Sequence, residues 1–177
     1  KQLAGRKVST GPAIESFLAD TSSFTEAREG ARNEVLEQTR LPLNDTRMTL
    51  YPDANGGLTG NNPEGQKGSS FSGSPEGFSE FASGDPTWQT GVSFSTPVQT
   101  RDVLLNGVPE LQLTASVTAP RVHLIANLLD EDAEGKRRRI SQFAINPELR
   151  EGLATPSPAV PGQRYVLDPP GFTMAHH

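Results

Sequence analysis

The run Glu110-Leu111-Gln112-Leu113-Thr114-Ala115-Ser116-Val117 alternates apolar and small or polar side chains without interruption. A side-chain period of two fits an extended strand with one face on a core and the other toward water. A helix would need apolar residues three and four apart. The rhythm recurs along the chain. Val92-Ser93-Phe94-Ser95 alternates and stops at Thr96-Pro97, and Val103-Leu104-Leu105 stops at Asn106-Gly107. Val122-His123-Leu124-Ile125-Ala126-Asn127-Leu128-Leu129 is a longer apolar run, suited to a strand buried on both faces or at a sandwich centre. Arg139-Ile140-Ser141-Gln142-Phe143-Ala144-Ile145 alternates again. After a Pro-rich loop over residues 147–163 comes Arg164-Tyr165-Val166-Leu167. Short strands at this spacing, with turn residues between them, predict an all-β, antiparallel sandwich.

Upstream the pattern is weaker. Pro12 to Leu18 has some strand-like spacing. Ser22 or Ser23 with Glu26 has the form of a capping box, and helix-forming residues continue to Gln38 past Gly30, which predicts a short, minor helix. Thr46-Arg47-Met48-Thr49-Leu50-Tyr51 reads as a half-buried strand ended by the turn Pro52-Asp53-Ala54-Asn55-Gly56-Gly57. Residues 58–89 form a Gly/Ser/Pro-rich linker into which Phe71, Phe78, Phe81 and Trp88 are set. A polar stretch of this length is unusual inside a compact domain, and the rings suggest a segment pinned along a surface, each in a groove. The organisation is therefore an N-terminal extension over residues 1–43 and a β-sandwich over residues 44–177 that includes the 58–89 segment.

Composition excludes several function classes. The net charge is −5, the opposite sign to a phosphate-tracking surface, so no nucleic-acid partner is expected. Cys is absent, which removes disulfides, Cys-type zinc sites and a thiol nucleophile. No apolar run approaches the roughly 20 residues of a membrane span, so no membrane partner is expected either. The chain opens at Lys1 without Met, and its compartment stays open.

No constellation for catalysis is found. Gly68-Ser69-Ser70-Phe71-Ser72-Gly73 has the wrong spacing for a nucleophile elbow and lies in linker. His123 sits in an apolar run and reads as a core or interface imidazole with a backbone partner. His176 and His177, native or the start of a tag, lack a third metal ligand nearby. Asp130-Glu131-Asp132-Ala133-Glu134-Gly135 begins like a calcium loop. Its twelfth position is Ser141, though, and Lys136-Arg137-Arg138-Arg139 follows, so it reads as a hairpin tip whose acids and bases neutralise each other. No catalytic residue, metal site or cofactor is assigned.

From residue 91 onward the sequence resembles the C-terminal domain of the X-Pro dipeptidyl-peptidase family, shared with cocaine esterase and the α-amino-acid ester hydrolases. The resemblance rests on Ser93-Phe94-Ser95-Thr96-Pro97-Val98, Asp102, Asn106-Gly107-Val108-Pro109, Leu111, Leu113, Ser116, Ala119-Pro120, Leu128-Leu129-Asp130, Gly135 and Pro161-Gly162-Gln163-Arg164-Tyr165. Upstream, Leu50-Tyr51, Gly57-Leu58 and Asp85-Pro86 are similar to the strand, turn and linker that precede the domain. The chain departs from the pattern at Arg121, Val122 and His123, where the family carries acidic residues flanking Thr. A later family strand with Gly-His-Arg is not reached before His177; a sandwich lacking it would expose a sheet edge, so truncation, disorder or proteolysis is expected.

The resemblance implies a jelly-roll, galactose-binding-like β-sandwich without catalytic residues, packed on its own α/β-hydrolase domain, which lies outside these residues. It implies that the sandwich walls the active-site mouth, with Leu113 and Thr114 as substrate-cleft candidates, and that a second copy of the chain is a further partner. The enzyme it implies cleaves a peptide, ester or amide through an acyl-enzyme. A stand-alone carbohydrate- or ligand-binding jelly roll is the alternative; the aromatics of the 58–89 segment would have to supply its site.

Overall fold

In a computed structural model, residues 14–17, 35–38, 46–63, 68–73, 91–169, 171–172 and 174–176 are described. Among them are ten strands and one 3-10 turn, an all-β architecture: β1 (Ile14–Phe17), β2 (Val35–Gln38), β3 (Tyr51–Pro52), β4 (Leu58–Thr59), β5 (Leu105–Gly107), β6 (Leu113–Ser116), β7 (Leu124–Glu131), β8 (Arg137–Ile145), β9 (Arg164–Leu167) and β10 (Met174–His176). They pair as β1–β2, β5–β10, β3–β4, β6–β9 and β7–β8. The chain divides into two units. One comprises Lys1–Asn44, Leu104–Ala126 and Ser141–His177; the other comprises Asp45–Val103 and Asn127–Ile140.

The core of the first unit follows from the alternation. Val117, Phe143, Ile145, Ala159, Tyr165 and Leu167 are buried, and Leu111, Leu113, Ala115, Val122, Leu124 and Ala126 pack against them. In β8, Ser141, Phe143 and Ile145 point inward and Ala144 outward. Ser141, the one polar residue in this buried set, donates its hydroxyl to the Phe172 carbonyl at 2.8 Å, so its burial leaves no orphan group.

In the second unit, Asp53 organises the turn between β3 and β4. Its Oδ1 accepts the N–H groups of Asn55 and Gly57, both at 2.8 Å. A side chain at Gly57 would overlap the Asp53 carboxylate, and Gly56 sits at φ +84°, where a Cβ is strained. Gly56 O then accepts from Ser95 N at 2.9 Å, and Leu58 N donates to Ser95 O at 2.7 Å. This joins the Gly57-Leu58 and Ser93-Phe94-Ser95 motifs. The β7–β8 hairpin closes over Asp132, whose Oδ1 accepts from Glu134 N and Lys136 N, with Gly135 at φ 80°. Arg137 pairs with Glu131 at 2.6 Å, as expected of a tip whose charges neutralise each other.

Several sequence expectations are corrected. Residues 35–38, read as the end of a helix, form strand β2 paired with β1, because Ile14 to Phe17 provides a register partner for each residue; residues 18–34 lie outside the described residues. Residues 46–50 form no strand: β4 offers only Leu58 and Thr59 to pair with, and Met48 is exposed. Pro52, read as the start of the turn, belongs to β3. Of Val92-Ser93-Phe94-Ser95, only Ser95 makes a bridge, to Gly57. Asn106-Gly107, read as a turn, lies inside β5, where Ala175 and Met174 of β10 pair with it. That pairing also places His176 in a strand and gives β5 a neighbour at its edge. β7 is not buried on both faces: Ile125 is 44% exposed. Phe71 is exposed rather than held in a groove, and Phe78, Phe81 and Trp88 lie outside the described residues.

Candidate functional site

The β6–β9 pair presents two faces of opposite character. Its register sets Leu113 beside Leu167, Thr114 beside Val166, Ala115 beside Tyr165 and Ser116 beside Arg164. Adjacent residues in a strand point to opposite sides. Leu113, Ala115, Tyr165 and Leu167 therefore face the core, and Thr114, Ser116, Arg164 and Val166 face outward, where all of them are exposed. Val166 is 61% exposed, an apolar side chain at the centre of a face that alternation would leave polar. Thr114 lies directly across from it. The two cleft candidates of the sequence thus fall on different sides: Leu113 packs on the core and Thr114 faces out.

Behind this pair, the loop from Asn146 to Gln163 is held by a cluster that no local sequence pattern announces. Asn146 Oδ1 accepts from Glu148 N at 2.9 Å and caps the 3-10 turn Pro147–Leu149, whose Pro147 is fully buried. Arg150 Nη1 donates to the carbonyls of Pro147 (2.9 Å) and Ser157 (2.6 Å), and Nη2 donates to Ser157 Oγ (2.9 Å). The guanidinium stacks 4.6 Å from the centre of the Tyr165 ring. The Tyr165 hydroxyl accepts from Val160 N at 2.9 Å. One residue thus ties both limbs of the loop to β9. The planar fork of Arg suits this task and the ammonium of Lys does not.

Two further bonds join motifs distant in sequence. Ala159 N donates to Pro120 O and Gly162 N to Val117 O, both at 2.9 Å. They bring Ala119-Pro120 against Pro161-Gly162, which sits at φ 81°. His123 is not a core residue: it is exposed, one residue before β7 begins with Leu124 inward. Its ring nitrogen lies 3.5 Å from the Asn146 side chain rather than against a backbone group.

Nothing in this arrangement resembles a catalytic set. Residues 68–73, the nearest approach to a nucleophile elbow, are exposed and contain neither strand nor helix. Among the described residues, no three His, Asp or Glu side chains gather as a metal site, and no helix is long and apolar enough to cross a membrane.

The fold and this site define a β-domain with a buried inner face, a partly apolar outer face and loops fixed by backbone hydrogen bonds. The family model of the X-Pro dipeptidyl-peptidase C-terminal non-catalytic domain matches residues 18–177, and the chain belongs to that family. The fold is the family's β-sandwich. No curated protein matches the chain. A domain of this family is part of a larger enzyme, so a catalytic domain is its partner.

Proposed function

We propose that this sandwich, of jelly-roll form, serves a serine hydrolase of the cocaine-esterase and α-amino-acid ester hydrolase kind as the wall of its active-site mouth. The outer face of β6–β9 borders the substrate, and Thr114 is the residue nearest to it. The observation that carries this reading is Val166 at 61% exposure, opposite Thr114, on a pair whose reverse face is core. Exposed apolar surface beside a hydroxyl is what an acyl or prolyl group would meet at a cleft rim. The serine nucleophile and its base come from the α/β-hydrolase domain, and the enzyme works through an acyl-enzyme. A second copy of the chain is a further partner in this reading.

The test compares the whole gene product with this chain. A fluorophosphonate is expected to label the former and leave the latter untouched. In the whole enzyme, Thr114→Trp is expected to raise KM for a bulky ester or X-Pro substrate with kcat little changed. Unchanged KM and unchanged selectivity across substrate sizes would place Thr114 away from the cleft. Labelling of this chain by itself would overturn its non-catalytic role.

A further inference from the structure

The chain contains the dipeptide Asn-Gly twice, at Asn55-Gly56 and Asn106-Gly107, in opposite structural settings. We propose that Asn55 is a site of spontaneous covalent modification, deamidation to aspartyl and isoaspartyl forms, and that the fold protects Asn106 from the same reaction. The backbone nitrogen of the following residue, giving up its proton to solvent base, attacks the Asn side-chain carbonyl carbon. The new C–N bond closes a succinimide ring, and the side-chain nitrogen leaves as ammonia. Water then opens the ring at one carbonyl or the other, so the chain continues through the original backbone or through the former side chain. The balance is one amide and one water in, one carboxylate and one ammonium out, with no oxidant or reductant. Glycine in the following position removes the Cβ that would crowd the attack.

Asn55 meets these conditions. It is exposed, so water and base reach it, and it occupies the turn rather than a strand. The nucleophile, Gly56 N, is weakly engaged: its contact with Asp53 O is 3.4 Å, at the long limit of a hydrogen bond. The neighbouring N–H groups of Asn55 and Gly57 are held at 2.8 Å by Asp53 Oδ1, which leaves Gly56 N as the loosely held donor of the turn. The product adds a carboxylate two residues from that of Asp53. In the isoaspartyl form it also lengthens the backbone that presents Gly56 O to Ser95 N.

Asn106 does not meet them. It and Gly107 are backbone-paired with Ala175 and Met174 in the β5–β10 ladder, and both polar atoms of its side chain are shut away from solvent. Attack there requires β5 to leave the ladder first, and a reaction through an opened state is slowed by the opening equilibrium. Each tenfold of slowing corresponds to about 1.4 kcal/mol of opening free energy.

The test is incubation of the whole chain at mildly alkaline pH, native and in guanidinium, followed by tryptic mapping. Cleavage after Arg47, Lys67, Arg101 and Arg121 isolates residues 48–67 and 102–121, one Asn-Gly in each. In native protein, deamidation at Asn55 is expected to run about tenfold or more ahead of Asn106. In guanidinium the two are expected to converge. In native Asn55→Gln protein, the signal in residues 48–67 is expected to vanish although Asn61 and Asn62 remain. Equal native rates, no native reaction at Asn55, or a signal that survives Asn55→Gln would each overturn the proposal.

Discussion

Replacing Gly171 with Ala is the substitution whose cost the structure fixes best. An ideal Cβ at this position would lie 2.6 Å from the Pro109 carbonyl oxygen, 2.7 Å from Phe143 Cε1 and 2.9 Å from Pro109 Cγ. Carbon contacts settle at about 3.5–4.0 Å, so the neighbours must retreat by roughly an ångström. None of them can swing into solvent. One is backbone, one is a pyrrolidine ring, and one is the ring of Phe143, which is only 6% exposed in the core. Overpacking of this kind costs about 1–3 kcal/mol. The shift also loosens the Phe143–Gly171 bridge and the bond from Ser141 Oγ to Phe172 O, worth about 1 kcal/mol more. The sum is about 2–4 kcal/mol, or a fall in Tm of about 4–16 °C for a chain of this size. Thermal unfolding followed by circular dichroism measures it. Gly60→Ala is the control, since an added Cβ there meets nothing within 4 Å; it is expected to move Tm by no more than about 2 °C. A Gly171→Ala protein that melts with the Gly60→Ala control would refute the packing argument.

Arg150→Lys keeps the charge but loses the fork that reaches Pro147, Ser157 and Tyr165. It is expected to cost about 1–3 kcal/mol and to speed hydrogen exchange at Ser157 N, which bonds Glu148 O; chemical denaturation with exchange mass spectrometry checks both. Asp53→Ala orphans the N–H groups of Asn55 and Gly57 and is expected to cost about 1 kcal/mol, seen as faster exchange at Ser95 N. Removing the Glu131–Arg137 pair, which is substantially exposed on both sides, is expected to change stability by less than about 0.5 kcal/mol by urea titration.

Where sequence legibility held, it held for local reasons. β6, β8 and β9 follow the alternation because each has one face on the core, and that pattern is visible residue by residue. Where it failed, the deciding partner was remote. Asn106-Gly107 has the composition of a turn, yet β10, nearly seventy residues later, supplies the hydrogen bonds that make it strand. Val35 to Gln38 consists of helix-tolerant residues, and β1 decides otherwise. The site divides in the same way. Alternation alone separates Leu113 from Thr114, but Arg150 sits in a Pro-rich loop with nothing nearby to suggest a role. Its partners Ser157 and Tyr165 are defined only by the closed loop.

Several of the residues that carry the family resemblance make contacts that hold the fold together. Gly56 and Leu58, on either side of Gly57, meet Ser95 through two backbone bonds. Ala119-Pro120 meets the residues around Pro161-Gly162 through two more, and Tyr165 supports Arg150 and accepts from Val160. Gly162 sits at φ 81°, and Tyr165 lays its ring on the core. Those requirements persist whatever substrate the attached hydrolase takes, because they come from loop closure and burial. A domain under such constraints can vary its outward residues while its motifs stay readable. The exposed Thr114 and Val166, which lie across from each other on the outer face, are therefore positions at which this chain can differ from others of its family without altering the sandwich.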